Sequence, residues 1–214
     1  MRESNIDLSF YLVTQRGGLN LEAFYQVISA AVEGGVSIVQ LREKGTNAVE
    51  FARIGKGLLG ILKPIGIPLI INDSIEIALA IGADGVHLGQ GDESVIEARK
   101  ILGPRAIIGL SVETLAQAKS AESLGVDYIA ASPVFGTPTK TDTAEPWGME
   151  GLRGLCSSTM LPVVAIGGIN IGNVQDMFRM GSSGVAVVSA IFKAEFPREV
   201  AREFVIQIEE ARKS

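Results

Sequence analysis

The sequence predicts an α/β fold: one (β/α)8 TIM barrel, a single domain over residues 1–214. Three observations predict it. Short apolar, β-rich runs recur eight times along the chain, and helical patterns lie between them. Several of those patterns close on glycine, as a helix does before feeding a strand. Eight such units in 214 residues suit a compact closed barrel. An open doubly wound sheet usually has fewer strands and carries G-x-G-x-x-G after the first; "VTQRGG" is not that fingerprint.

The first strand is expected at "FYLVT" (10–14). "LEAFYQVISAAVEGG" (21–35) follows, with apolar residues three and four apart, and reads as a helix. The second strand is "SIVQLRE" (37–43). The third is "PLIIN" (68–72), with a helix starting near Ser74, and the fourth is "GVHLG" (85–89). "AIIGLSV" (106–112) is the fifth strand and "ETLAQAKSAESLG" (113–125) the helix after it. "DYIAASPVF" (127–135) and "PVVAIGG" (162–168) are the sixth and seventh strands. "NVQDMFRMG" (173–181) is a helix, "GVAVVSAI" (184–191) the eighth strand, and "REVAREFVIQIEEARK" (198–213) a closing amphipathic helix. "GADG", "GVD" and "GSSG" precede strands four, six and eight and read as structural helix caps. No linker, low-complexity tract or second domain interrupts the pattern.

The formal charge of −5 argues against an extended nucleic-acid surface, which would be basic. With Cys156 as the one cysteine, no internal disulfide can form, which fits a reducing compartment. "MRESNIDLSF" has no apolar signal core, and no apolar run is long enough to cross a bilayer. A soluble, cytoplasmic protein without a membrane partner is expected. The sequence is compatible with a homo-oligomer and does not specify one.

In barrels the chemistry sits where strands end, and here those ends turn polar. In "QLREK", alternation sends Gln40, Arg42 and Lys44 one way and Leu41 and Glu43 the other. An inward amide and two cations are costly without an anionic ligand. Asn72 and Asp73 end the third strand, "GQGD" after the fourth supplies Asp92, and Ser111 closes the fifth. Singly, each aspartate is a plausible cap. Opposite a row of cations, two carboxylates converging on Mg2+ is the better reading. His87, inside the fourth strand, is read as a satisfied interior residue. The longest loop, "VFGTPTKTDTAEPWG" (134–148), reads as a lid: Thr137, Thr139 and Lys140 offer hydroxyls and a cation, while Gly136 and Pro138 shape the turn. Gly167, Gly168, Val188 and Ser189 suit a phosphate held by backbone amides.

As a set, "QLREK", "IIND", "GVHLGQGD", "GLSV", "TPTKTD" and "IGGI" resemble thiamine phosphate synthase, in family order from the first strand to the eighth. The resemblance implies an Mg2+-dependent transferase of thiamine biosynthesis. It would join hydroxymethylpyrimidine diphosphate to thiazole phosphate and release pyrophosphate by a dissociative route. It further implies that Gln40, Leu41, Arg42, Glu43, Lys44, Asn72, Ser111 and Lys140 bind the pyrimidine diphosphate. Arg42, Lys44, Lys140 and Ser111 would be catalytic, and Asp73 and Asp92 would be the metal ligands. Thr137, Pro138, Thr139, Gly168, Val188 and Ser189 would serve the thiazole phosphate side. One departure stands out: Gly136 precedes the first threonine where many members carry proline. The alternatives are the related thiazole tautomerase, a sugar-phosphate epimerase, and a non-catalytic phosphate-ligand sensor on the same fold. None of these calls for the strand-two cations, the paired aspartates and the loop lysine together.

Overall fold

The computed structural model describes residues 6–136 and 145–213. Its elements run β1 (Phe10–Val13), α1 (Leu21–Glu33), β2 (Ile38–Leu41), α2 (Ala48–Leu62), β3 (Leu69–Asn72) and α3 (Ile75–Ile81). They continue with β4 (Gly85–Leu88), α4 (Val95–Leu102), β5 (Ile107–Val112), α5 (Leu115–Leu124), β6 (Tyr128–Ala131) and α6 (Gly148–Ser158). The last are β7 (Val163–Ile166), α7 (Val174–Arg179), β8 (Gly184–Val187), α8 (Ser189–Phe192) and α9 (Pro197–Lys213). Each strand pairs in parallel with its sequence neighbour, and β8 closes on β1 with Phe10 opposite Val185. The (β/α)8 barrel is therefore as expected.

Alternation explains why the strands read as unbroken apolar runs: both faces are buried. One face looks outward onto the helices, where Phe10, Leu12, Val39, Leu41, Leu69 and Ile71 join Phe24, Ile54 and Phe204. The other fills the lumen, with Leu8, Tyr11, Ile38, Ile70, Ile107 and Tyr128 among its members. Each fully buried Leu or Ile contributes about 1.5–3 kcal/mol.

Helix starts are capped by the residue types that compete for backbone donors. Asn20 accepts from Ala23 N, Asn47 from Glu50 N and Ser94 from Glu97 N, while Thr114 and Gln117 form a reciprocal capping box. The repeated glycine–aspartate pieces are structural, as read. Gly82 and Gly125 end α3 and α5 in the left-handed conformation. Asp84 then accepts from Leu69 N at 2.8 Å, and Asp127 accepts from Ile108 N and from Arg99, both at 2.8 Å. These ties hold the bottom of the barrel, away from the strand ends that carry the site.

Several strands end earlier than expected, strand seven among them, at Ile166 rather than Gly168. Strand two stops at Leu41, so Arg42 and Lys44 lie in the loop after it. Strand six stops at Ala131. Strand eight stops at Val187, and residues 189–192 form α8 instead. An apolar run such as "VSAI" suits a buried helical turn as well as a strand, so periodicity over so few residues does not separate the two.

Candidate functional site

A cavity of about 670 Å³ opens at the carboxyl ends of the strands. Gln40, Arg42 and Lys44 all reach it. The buried Thr14 hydroxyl accepts Arg42 N–H at 3.0 Å and pins the first residue after β2. Leu41 and Glu43 do not line the cavity. Leu41 is fully buried against the helices. The Glu43 carboxylate receives Arg16 Nε at 3.0 Å and the Thr46 hydroxyl at 3.4 Å. Alternation sends both side chains away from the lumen, so a substrate contact at either position would run through its backbone.

The end of β3 explains its polar residues. Ser74 N–H donates to Asn72 O at 2.8 Å, closing a three-residue turn around Asp73. Asp73 has φ 64°, the one left-handed non-glycine residue among those described. Such a backbone costs about 1–3 kcal/mol and persists at sites that use it. The turn presents Asp73 to the cavity, and Ser74 caps α3 by accepting from Ile77 N at 3.2 Å. Across the rim, Asp92 accepts Gly89 N–H at 2.6 Å. The two carboxyls lie close enough for Asp92 to act on Asp73. Partial burial, reinforced by Asp92, raises the Asp73 carboxyl to about 6, against the opposing pull of the Asn72 hydrogen bond and the Arg42 charge. Two crowded carboxyls are an arrangement that a cation would relieve. With Asn72 alongside, the oxygen donors fit Mg2+ completed by water and diphosphate oxygens. Among the described residues no third His, Cys, Asp or Glu joins them.

On the opposite rim, Gly167 and Gly168 follow β7 with φ 104° and 69°. A Cβ at Gly168 would stand 2.7 Å from Phe135 Cβ, so both conformation and space require glycine there. The Asn170 and Asn173 amides donate to Gly168 O at 3.2 and 3.0 Å and hold the turn. Gly168, Val188 and Ser189 line the cavity together with Asn72 and Ser111. Thr137, Pro138, Thr139 and Lys140 lie outside the described residues.

Three wall residues were not anticipated from sequence as site residues: Tyr11, Tyr128 and, as a cavity-lining group, His87. All are buried. Inward parity on β1, β4 and β6 was the available signal. Gln90 also lines the cavity, and its amide donates to Ser111 O at 2.7 Å.

The profile of the thiamine monophosphate synthase family matches residues 10–191. The chain belongs to this family. The thiamine-phosphate synthase of Albidiferax ferrireducens is 50% identical over 190 residues, covering 89% of this chain and 87% of that one. The Vibrio parahaemolyticus thiamine-phosphate synthase is 46% identical, covering 92% and 96%. Among solved structures, the thiamine phosphate pyrophosphorylase of Pyrococcus furiosus superposes with a TM-score of 0.87 at 37% identity, covering 96% of this chain and 98% of that one. This member of the thiamine monophosphate synthase family is an enzyme by kinship, and the similarity spans the barrel that carries the site. Among its described residues no helix is long and apolar enough to cross a membrane.

Proposed function

We propose that the protein transfers the hydroxymethylpyrimidine group from its diphosphate to the ring nitrogen of thiazole phosphate, giving thiamine phosphate and pyrophosphate. The observation that carries the reading is the pairing on one rim of Arg42 and Lys44 with Asp73 and Asp92, facing the glycine turn after β7 across a single cavity. Kinship supports the same reading, and the tautomerase and sensor alternatives are not favoured by it.

The reaction is dissociative. The pyrimidine methylene C–O bond breaks, and its electron pair leaves with the diphosphate. The thiazole nitrogen then gives its lone pair to the methylene carbon. The nucleophile belongs to the substrate, so no covalent enzyme nucleophile is required. Arg42 and Lys44 bind the diphosphate and stabilise the charge that grows as it leaves. Gln40 faces the pyrimidine. Asp73 and Asp92 would hold Mg2+, which would supply electrostatic stabilisation of the leaving diphosphate. Gly168 and the Val188–Ser189 amides receive the thiazole phosphate, and Lys140 of the strand-six loop acts with the diphosphate cations. The enclosed apolar walls around Ala130, Val164 and Ile166 limit water at the reacting carbon.

The test supplies both substrates with and without Mg2+ and follows pyrophosphate and thiamine phosphate. Both products should form in equal amounts, and only with the metal. Absence of thiamine phosphate under these conditions, or undiminished turnover after chelation, refutes the respective part of the proposal.

A further inference from the structure

Beneath the rim, the barrel holds polar groups that an apolar filling would spare. Gln40 Nε2 donates to the Tyr11 phenol at 3.0 Å. The Tyr11 and Tyr128 phenols meet at 2.8 Å, and Tyr128 Oη lies 2.9 Å from His87 Nδ1. His87 Nε2 lies 2.9 Å from Ser111 Oγ. The chain thus joins β2, β1, β6, β4 and β5. Because β1 and β6 are not neighbours in the sheet, the Tyr11–Tyr128 bond spans the lumen itself.

Space has been cleared for this chain. A Cβ at Gly109 would run into the Tyr128 ring and His87 Nδ1. Gly109 does not have a left-handed backbone, so its missing side chain serves close approach rather than conformation. The His87 and Tyr128 rings stack over it at 5.5 Å between centroids.

Direction follows from the proton count. Burial holds both phenols protonated, since it raises each well beyond the ordinary tyrosine range. Each phenol therefore has one proton to donate. Gln40 meets Tyr11 through an N–H donor, and Tyr128 Oη is the remaining partner in reach of the buried Tyr11 proton, so donation from Tyr11 to Tyr128 is the direction that leaves neither phenol proton unpaired. Tyr128 must then donate to His87 Nδ1. An accepting Nδ1 places the ring proton on Nε2, which donates to Ser111 Oγ. With its oxygen receiving from His87, the Ser111 hydroxyl directs its own proton elsewhere, and Ser111 lines the cavity.

From this geometry we infer that Gln40, Tyr11, Tyr128 and His87 form a unidirectional hydrogen-bond chain that makes Ser111 a dedicated donor to an anionic ligand oxygen, the departing diphosphate. Tyr11, Tyr128 and His87 are positioning residues acting through Ser111. Gln40 both faces the pyrimidine and sets the direction. The inference rests on the proposed transferase reading for the identity of that anion, but not for the direction of the chain.

Two experiments test it. His87 is the one histidine in the sequence, so ¹⁵N-histidine labelling gives a single pair of ring resonances without any variant. The substrate-free wild type should show a protonated, pyrrole-type Nε2 and a pyridine-type Nδ1. A protonated Nδ1 with a pyridine-type Nε2 overturns the chain whether or not the protein makes thiamine phosphate. The second experiment is a kinetic cycle. Ser111→Ala should lower kcat by about 10²-fold. Tyr128→Phe should lower it by about 10-fold, with little change in KM for either substrate. In the Ser111→Ala background, Tyr128→Phe should cost nothing further, because its effect passes through the hydroxyl. Full additivity of the two losses overturns the positioning role. If neither substrate is turned over, the transferase reading fails while the tautomer still decides the chain.

Discussion

Replacing Asp73 by asparagine separates the proposed metal site from the fold that carries it. Asparagine keeps the size of the side chain and tolerates the left-handed backbone at φ 64°. It removes the charge. In the metal-free protein the folded Asp73 carboxyl sits at about 6, against 3.8 for the ordinary group, chiefly through partial burial and then through Asp92. A carboxyl raised by folding stabilises the folded state in its protonated form. That benefit is complete below about pH 3.8 and is lost as pH rises through 6. A fully enclosed group shifted this far would forfeit about 3 kcal/mol. Asp73 keeps more than a third of its surface open to the cavity, so water screens it and about 1 kcal/mol is expected. Metal-free Asp73→Asn should therefore match the wild type at pH 4. At pH 7.5 it should melt about 2–4 °C higher. Added Mg2+ should close that gap by stabilising the wild type, and the variant should lose most of its turnover. Thermal melts of both proteins at the two pH values, with and without metal, measure all of this. A variant less stable than wild type at pH 7.5, or a gap that does not depend on pH, refutes the raised Asp73 carboxyl.

Arg42→Ala should raise KM for the pyrimidine diphosphate by about 10–100-fold and leave thiazole phosphate nearly unaffected, and Arg42→Lys should also be harmful, because an ammonium does not reproduce the planar guanidinium fork; steady-state kinetics with each substrate varied checks both. Leu41→Ala should cost about 2–5 kcal/mol in urea unfolding while the folded fraction keeps its kcat, since that side chain packs against helices rather than the cavity. Lys140→Ala should lower kcat strongly with a smaller change in either KM, as expected of a charge that acts when the diphosphate separates; a rise in KM alone would make Lys140 a ground-state binding residue.

The strands were legible because a barrel buries both of their faces, and eight apolar runs have few other uses. The rim was legible at β2 because parity separates Gln40 from Leu41 even though regular pairing stops at Leu41. Asp73 and Asp92 were legible as a pair on one rim because both fall where neighbouring strands end. The interior chain was not. Tyr11 and Tyr128 are 117 residues apart and bond across the lumen, so neither looks unlike an ordinary core aromatic on its own strand. Gly109 was equally silent: a glycine that makes room for a distant ring is defined by that ring. The left-handed turn at Asp73 was hidden for a related reason, since an aspartate before a serine cap is also the ordinary start of a helix.

The lumen below the phenols is filled by Leu8, Ile38, Ile70 and Ile107, each 9% exposed or less. Among the described residues the cavity is consequently a well, floored by apolar side chains and open at the strand ends. Under the proposed transferase reading, two substrates would come down the same passage that two products leave by, and with Gln40 facing the pyrimidine beside the phenols, that group would be seated before the thiazole sits above it. Traffic through the mouth would then set an order: pyrimidine diphosphate first in, and no second cycle until the assembled thiamine phosphate has cleared the shaft. Thiamine phosphate should compete directly with the first substrate for the empty well, so an accumulating product slows its own synthesis without any separate regulatory site.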